Sequence, residues 1–356
     1  MRILQIISAR YFGGGERHVV DLARGLRERG HHVFVATRTN AFIRPQLSFL
    51  PDGHILEFPF RGPLDGLTAR SLANLITGEK IDLIHAHAAR DYTVAAMAAY
   101  LSRTPFVITR HVLFPMSKLH RVLLRGVEFV IAPSQGVADS LRERSIFPAE
   151  KIVTIRHGLN TGVPATRKRN SPDQFVVGAI GALDPVKGFD VLIRAAAIVV
   201  KKVRNARFEI SGIDRGSIGH NEQDLRKLIA DLDLEDVVKL TGWSPDIHET
   251  LAGLDLFVSS SRSESFGYVL AEAMLAGVPV VATETGGARE VIGDAGPLVA
   301  IESPEALANR IITLLESEEE RESLSARGRN RILENFTMDV MIDKTEEVYW
   351  WAVGRG

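Results

Sequence analysis

The chain has 356 residues, 45% hydrophobic and 24% charged, which is room for two domains of ordinary size; a formal net charge of −1 gives no global electrostatic case for nucleic acid. There is no cysteine, so disulfides, thiolate metal sites and cysteine nucleophiles are excluded together. The apolar run Ile3 to Ile7 is too short for a signal-peptide core, and no later run approaches membrane-spanning length. The expectation is a soluble, cytoplasmic protein.

In chain order, "ILQIIS" reads as a buried strand, and "GGGERHVVDLARGLRERG" as a loop and amphipathic helix. Val19, Val20, Leu22, Ala23 and Leu26 recur at helical spacing in it, and Gly30 supplies the stop. "HHVFVAT" is a second strand. "IDLIHAH" precedes a helix near Thr93 to Leu101, followed by the strands "FVIT" and "FVIAPS" and the helix "QGVADSLRERS". From Gly162 to Gln174 the apolar period lapses into Pro, Ser and basic residues, the composition of a linker.

Alternation then restarts. Strand "FVVGAIGAL", helix "FDVLIRAAAIVVKKV", strand "ARFEISG", helix "DLRKLIADLDL", strand "VVKLTG" and helix "DIHETLAGL" lead to strand "DLFVSSS". Helix "YVLAEAMLA", strand "VPVVAT" and a helix from Pro304 to Leu315 complete it, and "ESEEERESLSARGRNR" reads as a solvated helix face. Strand-length apolar runs alternating with helices predict parallel sheets covered on both faces, here two α/β units of similar size. In such sheets ligands bind beyond the carboxyl ends of the strands, and with two units the cleft between them is the default expectation.

One strand-end loop carries unusual acids. "RSESFG" joins "DLFVSSS" to "YVLAEAMLA", with Gly277 as the helix stop. Ser265, Phe266 and Gly267 stand where a helix begins, so their N–H groups face phosphate or sugar oxygens, and Gly267 permits close approach. Glu272 falls inside an otherwise apolar helix, where an ionised carboxylate must be satisfied. A vicinal diol such as a ribose 2′,3′-diol would do so; so would an internal arginine or a neighbouring loop.

Glu264 and Glu272, in the context "ESFGYVLAEAMLAGVPVVAT" followed by Gly286-Gly287, resemble the signature of retaining family 4 glycosyltransferases, which have the two-domain GT-B fold. The resemblance extends over nearly the whole chain through "GGGERHVVDLARGLRERGHHV", "APSQGVADSL", "VKGFDVLIRA" and "LTGWSPDI". It implies two doubly wound units, an acceptor-side one at 1–163 and a nucleotide-sugar-binding one at 174–335, with a linker at 164–173 and a C-terminal helix at 336–356 packing back on the first. It implies further that Glu272 binds donor ribose, that Glu264 binds the transferred sugar, and that the amides of Ser265, Phe266 and Gly267 bind sugar and diphosphate oxygens.

Four further places have two readings each. Gly13, Gly14 and Gly15 are either a turn or a backbone approach to phosphate or acceptor; they lack the GxGxxG spacing of a dinucleotide fingerprint. Lys187, in "GALDPVKGFD", is either solvated or the cation that receives the departing diphosphate. His111, in "FVITRHVL", is either a core histidine or a polar tip at the sugar. The basic stretch Lys118, His120, Arg121 and Arg125 is a surface helix end or a contact with an anionic membrane. The resemblance favours function for Gly13–Gly15, Lys187 and His111, and it places Trp243 or a neighbour at the nucleoside base.

The resemblance also shows a departure: an Arg usual shortly before the Lys is Ala182 here, leaving Arg215, Arg262 or another cation to substitute. His85 and His87 are weaker candidates for the acceptor, and with no third ligand evident nearby no metal is expected. No separate cofactor is expected either. The implied partners are a nucleotide-sugar donor and a saccharide or lipid-linked acceptor, with peripheral membrane contact and no nucleic acid. Rival readings are a nucleotide-sugar epimerase and a non-catalytic nucleotide-sugar-binding protein. An NAD-dependent oxidoreductase fails for want of the dinucleotide fingerprint.

Overall fold

The computed structural model describes residues 1–9, 13–113, 116–162, 174–214, 221–244 and 246–354. The chain divides into two compact units, Met1–Gly158 with Met338–Gly356, and Leu159–Thr337. The linker at 164–173 lies outside the described residues. Ahead of it, Leu159 already belongs to the second unit: its N–H donates to the Phe336 carbonyl at 2.8 Å, and it bridges to Thr337.

The first unit holds strands β1 (Arg2–Ile7), β2 (His32–Arg38), β3 (Ile55–Phe58), β4 (Leu83–Ala86), β5 (Phe106–Thr109), β6 (Phe129–Ala132) and β7 (Ile152–Thr154). All pair in parallel, in the order β3-β2-β1-β4-β5-β6-β7. Helices α1 (Gly14–Glu28), α2 (Gly66–Gly78), α3 (Tyr92–Ser102), α4 (His120–Leu123) and α5 (Gln135–Glu143) connect them. The sheet is buried on both faces. Leu4, Ile6, Ile84 and Ile108 pack with Leu72 and Val94, while Ile3, Val33, Val35 and Leu83 pack with Val19, Leu22 and Leu26. A strand covered on both sides gains about 25 cal/mol for each Å² of apolar area removed from water on either face, which is why these strands read as unbroken apolar runs.

The second unit repeats the plan. Its strands are β8 (Phe175–Ile180), β9 (Ala206–Ser211), β10 (Val238–Gly242), β11 (Leu256–Ser259), β12 (Val280–Thr283) and β13 (Leu298–Val299), parallel in the order β10-β9-β8-β11-β12-β13. Its helices are α6 (Phe189–Lys202), α7 (Asn221–Asp231), α8 (Ile247–Ala252), α9 (Tyr268–Leu275), α10 (Gly286–Ile292), α11 (Pro304–Glu316) and α12 (Glu318–Asn335). The charged run over α12 is less solvated than its composition suggests. Leu324 and Ile332 are buried, and Arg321, 5% exposed, donates to the last carbonyls of α11 at Leu314 and Leu315 (2.6 and 2.8 Å).

The last helix, α13 (Met338–Ala352), belongs to the first unit, where Met341, Ile342, Val348 and Tyr349 join the core formed with α1. Gly25 explains how closely it packs: a Cβ there would stand 1.8 Å from Ile342 Cδ1.

Strand order reverses between β1 and β4 in the first unit and between β8 and β11 in the second. Beyond the carboxyl ends of strands at such a reversal, the connections diverge to opposite faces and leave a crevice.

Candidate functional site

In the second unit the loops after β8 and β11 meet. Lys187 ends a short 3-10 turn, Pro185–Lys187, and its Nζ lies 2.6 Å from Glu264 Oε2. The two side chains are 27% and 17% exposed, so each can also reach a solvent-borne ligand. Backbone contacts hold the pair from both sides. Ser260 Oγ donates to the Lys187 carbonyl at 2.9 Å, and Arg262 N–H donates to the Val186 carbonyl at 2.7 Å. The lysine stem crosses Gly181, where an added Cβ would touch Cγ, Cδ and Cε at 3.5 Å.

Glu264 is fixed through its backbone as well. Its carbonyl accepts from Gly287 N–H at 3.0 Å, in the first turn of α10. A Cβ on Gly287 would sit 2.7 Å from Glu264 O and Phe266 N and 2.8 Å from Phe266 O, all backbone atoms that cannot swing aside. The glycine is therefore required by close approach. Gly287→Ala is expected to displace the 264–266 loop and lower turnover about 10²-fold, the penalty for an ångström-scale misplacement, while the unit stays folded. Circular dichroism and nucleoside diphosphate release would check this; unaltered turnover would count against the loop's importance.

Gly267 caps α9 at φ +97°, a left-handed conformation that glycine adopts without strain. Phe266 is buried beneath it and Glu272 is 2% exposed within α9, among Leu270, Ala271, Ala273 and Met274. Trp243 follows the edge strand β10 and is 59% exposed. Of the cations considered for the vacancy at Ala182, Arg215 lies outside the described residues. Arg262 is committed elsewhere: its guanidinium holds Asp190 at 2.8 and 2.9 Å and also pairs with Glu302. Burial pushes the Asp190 carboxyl up, but the Arg262 hydrogen bond and charge outweigh it, so the carboxyl lies below its ordinary value. The same two carboxylates raise the Arg262 guanidinium. That arginine is structural.

In the first unit the residues singled out also stand at the strand reversal. Gly13 caps α1, with its N–H donating to Glu16 Oε2 at 2.8 Å, whereas Gly14 and Gly15 form the first turn of the helix and not a loop. Gly15 faces His111, whose ring would meet an added Cβ at 3.5 Å. His111 stands just past β5, and burial, aided by the neighbouring Arg110 charge, pushes its imidazole down to about 3. It is neutral at physiological pH.

The two histidines of "IHAH" lie with ring centroids 4.0 Å apart but have different partners. His85 is fully buried and structural, with Nδ1 2.6 Å from Tyr349 Oη and Nε2 2.7 Å from Thr109 Oγ1. His87 turns instead towards His18 and His111, ring centroids 5.6 Å from each. The expectation of no metal rested on the lack of a third ligand. The fold supplies one: a nitrogen from each of His18, His87 and His111 lies within 4.8 Å of the others. Sequence reading missed His18 and His157, and nothing but the helical period of α1, which puts His18 beside Val19 on the buried side, pointed to either.

In the same unit, Asp91 accepts from Ser8 N–H at 2.7 Å and from the Ser8 hydroxyl. Burial pushes its carboxyl up to about 6, with the Ser8 hydrogen bonds opposing. A raised carboxyl stabilises the fold fully below the unfolded value of about 3.9, and that stability is lost as pH rises through about 6. Asp91→Asn cannot ionise, so its melting temperature is expected to fall less than that of the unmodified chain between pH 5 and 7. Parallel melting curves across that range would refute the assignment.

Two doubly wound parallel units, each with its polar side chains gathered at the point of strand reversal, are the GT-B architecture of glycosyltransferases. Residues 12–163 match the model described as Glycosyltransferase Family 4, residues 165–331 match Glycosyl transferases group 1, and the chain belongs to the family 4 glycosyltransferases. The N-acetyl-alpha-D-glucosaminyl L-malate synthase of Bacillus anthracis is 27% identical, over 95% of this chain and 94% of that protein. The lipopolysaccharide core biosynthesis glycosyltransferase LpsE of Rhizobium meliloti is 28% identical, over 93% and 94%. The crystal structure of Anabaena Alr3699/HepE in complex with UDP and glucose superposes with a TM-score of 0.85, at 27% identity and 98% coverage of both chains. A glycosyltransferase from Rickettsia africae, 22% identical with a TM-score of 0.87, shares the fold.

Proposed function

We propose that this glycosyltransferase moves a sugar from a nucleoside diphosphate-sugar to an acceptor hydroxyl with retention of anomeric configuration, in the synthesis of a cell-surface polysaccharide, lipopolysaccharide or glycolipid. The observation that carries the reading is the Lys187–Glu264 pair, 2.6 Å apart at the α9 entrance. It sets a cation and a carboxylate beside helix-terminal amides, a combination suited to a diphosphate and a sugar hydroxyl at once. The UDP-glucose complex of the Anabaena protein supports the donor class.

In this reading Glu272 accepts from the two ribose hydroxyls, Glu264 accepts from hydroxyls of the transferred sugar, and the amides of Ser265, Phe266 and Gly267 bind diphosphate and sugar oxygens. Trp243 stacks on the base, and His111 contacts the sugar with Gly13–Gly15 beside it. The bond from the anomeric carbon to the diphosphate oxygen breaks as the acceptor oxygen bonds to the same face of that carbon. The acceptor's proton passes to the departing diphosphate. Lys187 neutralises the charge that builds there, and no cofactor or metal takes part in the transfer.

The test is to incubate purified protein with UDP-, GDP- and ADP-sugars and sugar acceptors, follow nucleoside diphosphate release, and read the product's anomeric coupling by NMR. Retained configuration supports the proposal. Inverted product overturns retention, and an epimerised donor formed without acceptor would favour an isomerase.

A membrane-borne acceptor has its own support. Leu119, Val122 and Leu123, exposed at 61, 63 and 38%, flank Arg121 and Arg125, both also exposed, around α4. No helix among the described residues is long and apolar enough to cross a membrane, which leaves contact by such a patch. The protein is then cytoplasmic and peripheral on the inner membrane face. Flotation with vesicles containing anionic phospholipid is expected to carry the unmodified chain and to lose the Leu119→Ser, Val122→Ser double variant. Equal flotation of both would remove the patch from the argument.

A further inference from the structure

Four imidazoles converge in the first unit: His18 from α1, His87 and His111 from the loops after β4 and β5, and His157 after β7. Ring centroids lie 4.5 Å apart for His18–His157, 5.1 Å for His18–His111 and 5.3 Å for His111–His157. His18, His87 and His157 are 2 to 3% exposed. Burial first holds all four below the ordinary histidine value, joined by neighbouring imidazoles for His18, His87 and His157 and by the Arg110 charge for His111. Imidazole binds metals through a ring-nitrogen lone pair, and a nitrogen from each of His18, His87 and His111 lies within 4.8 Å of the others.

The protons can be placed from the surroundings. Gln5 Nε2 donates to Tyr349 Oη at 3.1 Å, and in this orientation of the amide Gln5 Oε1 faces His87 Nε2 at 2.5 Å. An amide oxygen only accepts, so His87 Nε2 carries the proton and its Nδ1 keeps a lone pair, pointed at His111 Nε2 3.4 Å away. On the far side of the His111 ring, Nδ1 is buried with no hydrogen-bond partner among the described residues. Whichever nitrogen of His111 holds its proton, one valence in the cluster goes unmet by protein. His157 Nδ1 faces His18 Nδ1 at 3.0 Å and orients that ring in turn.

Three imidazoles with ligand nitrogens inside 4.8 Å, one of them held by an outer carbonyl through its far N–H, have the layout of a metal site. An all-nitrogen donor set suits zinc, cobalt, nickel or copper and is a poor match for magnesium or calcium. We propose that His18, His87 and His111 bind a divalent transition metal of the zinc class, with Gln5 orienting His87 and His157 orienting His18. The site stands whether or not His111 takes part in sugar transfer.

The full chain, stripped with EDTA and titrated with Co²⁺, tests this by visible absorption. One equivalent is expected to raise the d–d band of a four-coordinate complex, and Zn²⁺ should displace it. His87→Ala should abolish the band, and Gln5→Met, which leaves all three ligands in place, should weaken binding about 10- to 100-fold. His120→Ala, a surface histidine outside the cluster, should change nothing. Absence of a saturable band in the unmodified chain would overturn the proposal. So would a full-strength band in folded His87→Ala, or unchanged affinity in Gln5→Met.

Discussion

Lys187→Ala is expected to lower turnover about 10²- to 10³-fold, the loss typical when one preorganised charge facing a developing anion is removed. Donor affinity should fall much less, because the ground-state diphosphate keeps its contacts with backbone amides while the bond-breaking charge loses its cation. The effect should be near the top of that range, since Arg262, the nearby alternative, is held by Asp190 and Glu302. Loss of fold is a poor rival explanation. The ion pair with Glu264 is partly exposed, and pairs of that kind contribute about 0–1 kcal/mol.

The pair itself supplies the control. Lys187 and Glu264 are 77 positions apart, yet their charges touch, so they should act as one unit on the bound sugar diphosphate. Glu264→Gln alone should also cost turnover heavily, and the double variant should be little worse than the poorer single, the pattern of residues that work together. Steady-state kinetics on the four proteins decides it. Additive losses, or a Lys187→Ala defect shared equally between binding and turnover, would take the leaving-group role from the lysine.

These two residues also show what a sequence carries and what it withholds. The alternation of strands and helices was legible because parallel strands covered on both faces keep only apolar side chains, as in "FVVGAI" and "VVAT". β3 and β13 escaped notice for the opposite reason. Both are half-covered edge strands, β3 with the pattern ILEF and β13 only two residues long, and neither needs an apolar run. Lys187 and Glu264 were each visible through local motif context, but their contact depends on β8 and β11 being neighbours, which no local pattern encodes. The histidine cluster is the extreme case. His18, His87, His111 and His157 come from four separate connections, and the order β1-β4-β5-β6-β7 brings their ends together. In the sequence His18 is merely one more position on the buried side of an amphipathic helix. Gly287 looked like half of a glycine pair, and its steric reason, the loop of Glu264 lying on it, appears only in space.

Glu272→Gln should raise the donor dissociation constant about 10- to 100-fold, equivalent to the roughly 1.5–3 kcal/mol of a hydrogen bond to a charged group, with little change in the turnover of saturated enzyme. Gln keeps the volume of the side chain, so α9 can stay packed in the core through Ala271, Ala273 and Met274. What it loses is one acceptor oxygen. A carboxylate can accept from both hydroxyls of a vicinal diol, whereas an amide presents one acceptor and turns a donor towards the second hydroxyl. The penalty should therefore track the diol. Calorimetry with a nucleoside diphosphate and with its 2′-deoxy counterpart separates the possibilities: the unmodified chain should discriminate strongly between them, and Glu272→Gln should narrow that gap. If the variant binds both as tightly as the unmodified chain does, the carboxylate serves the packing of the second unit, and the ribose is held by some other group.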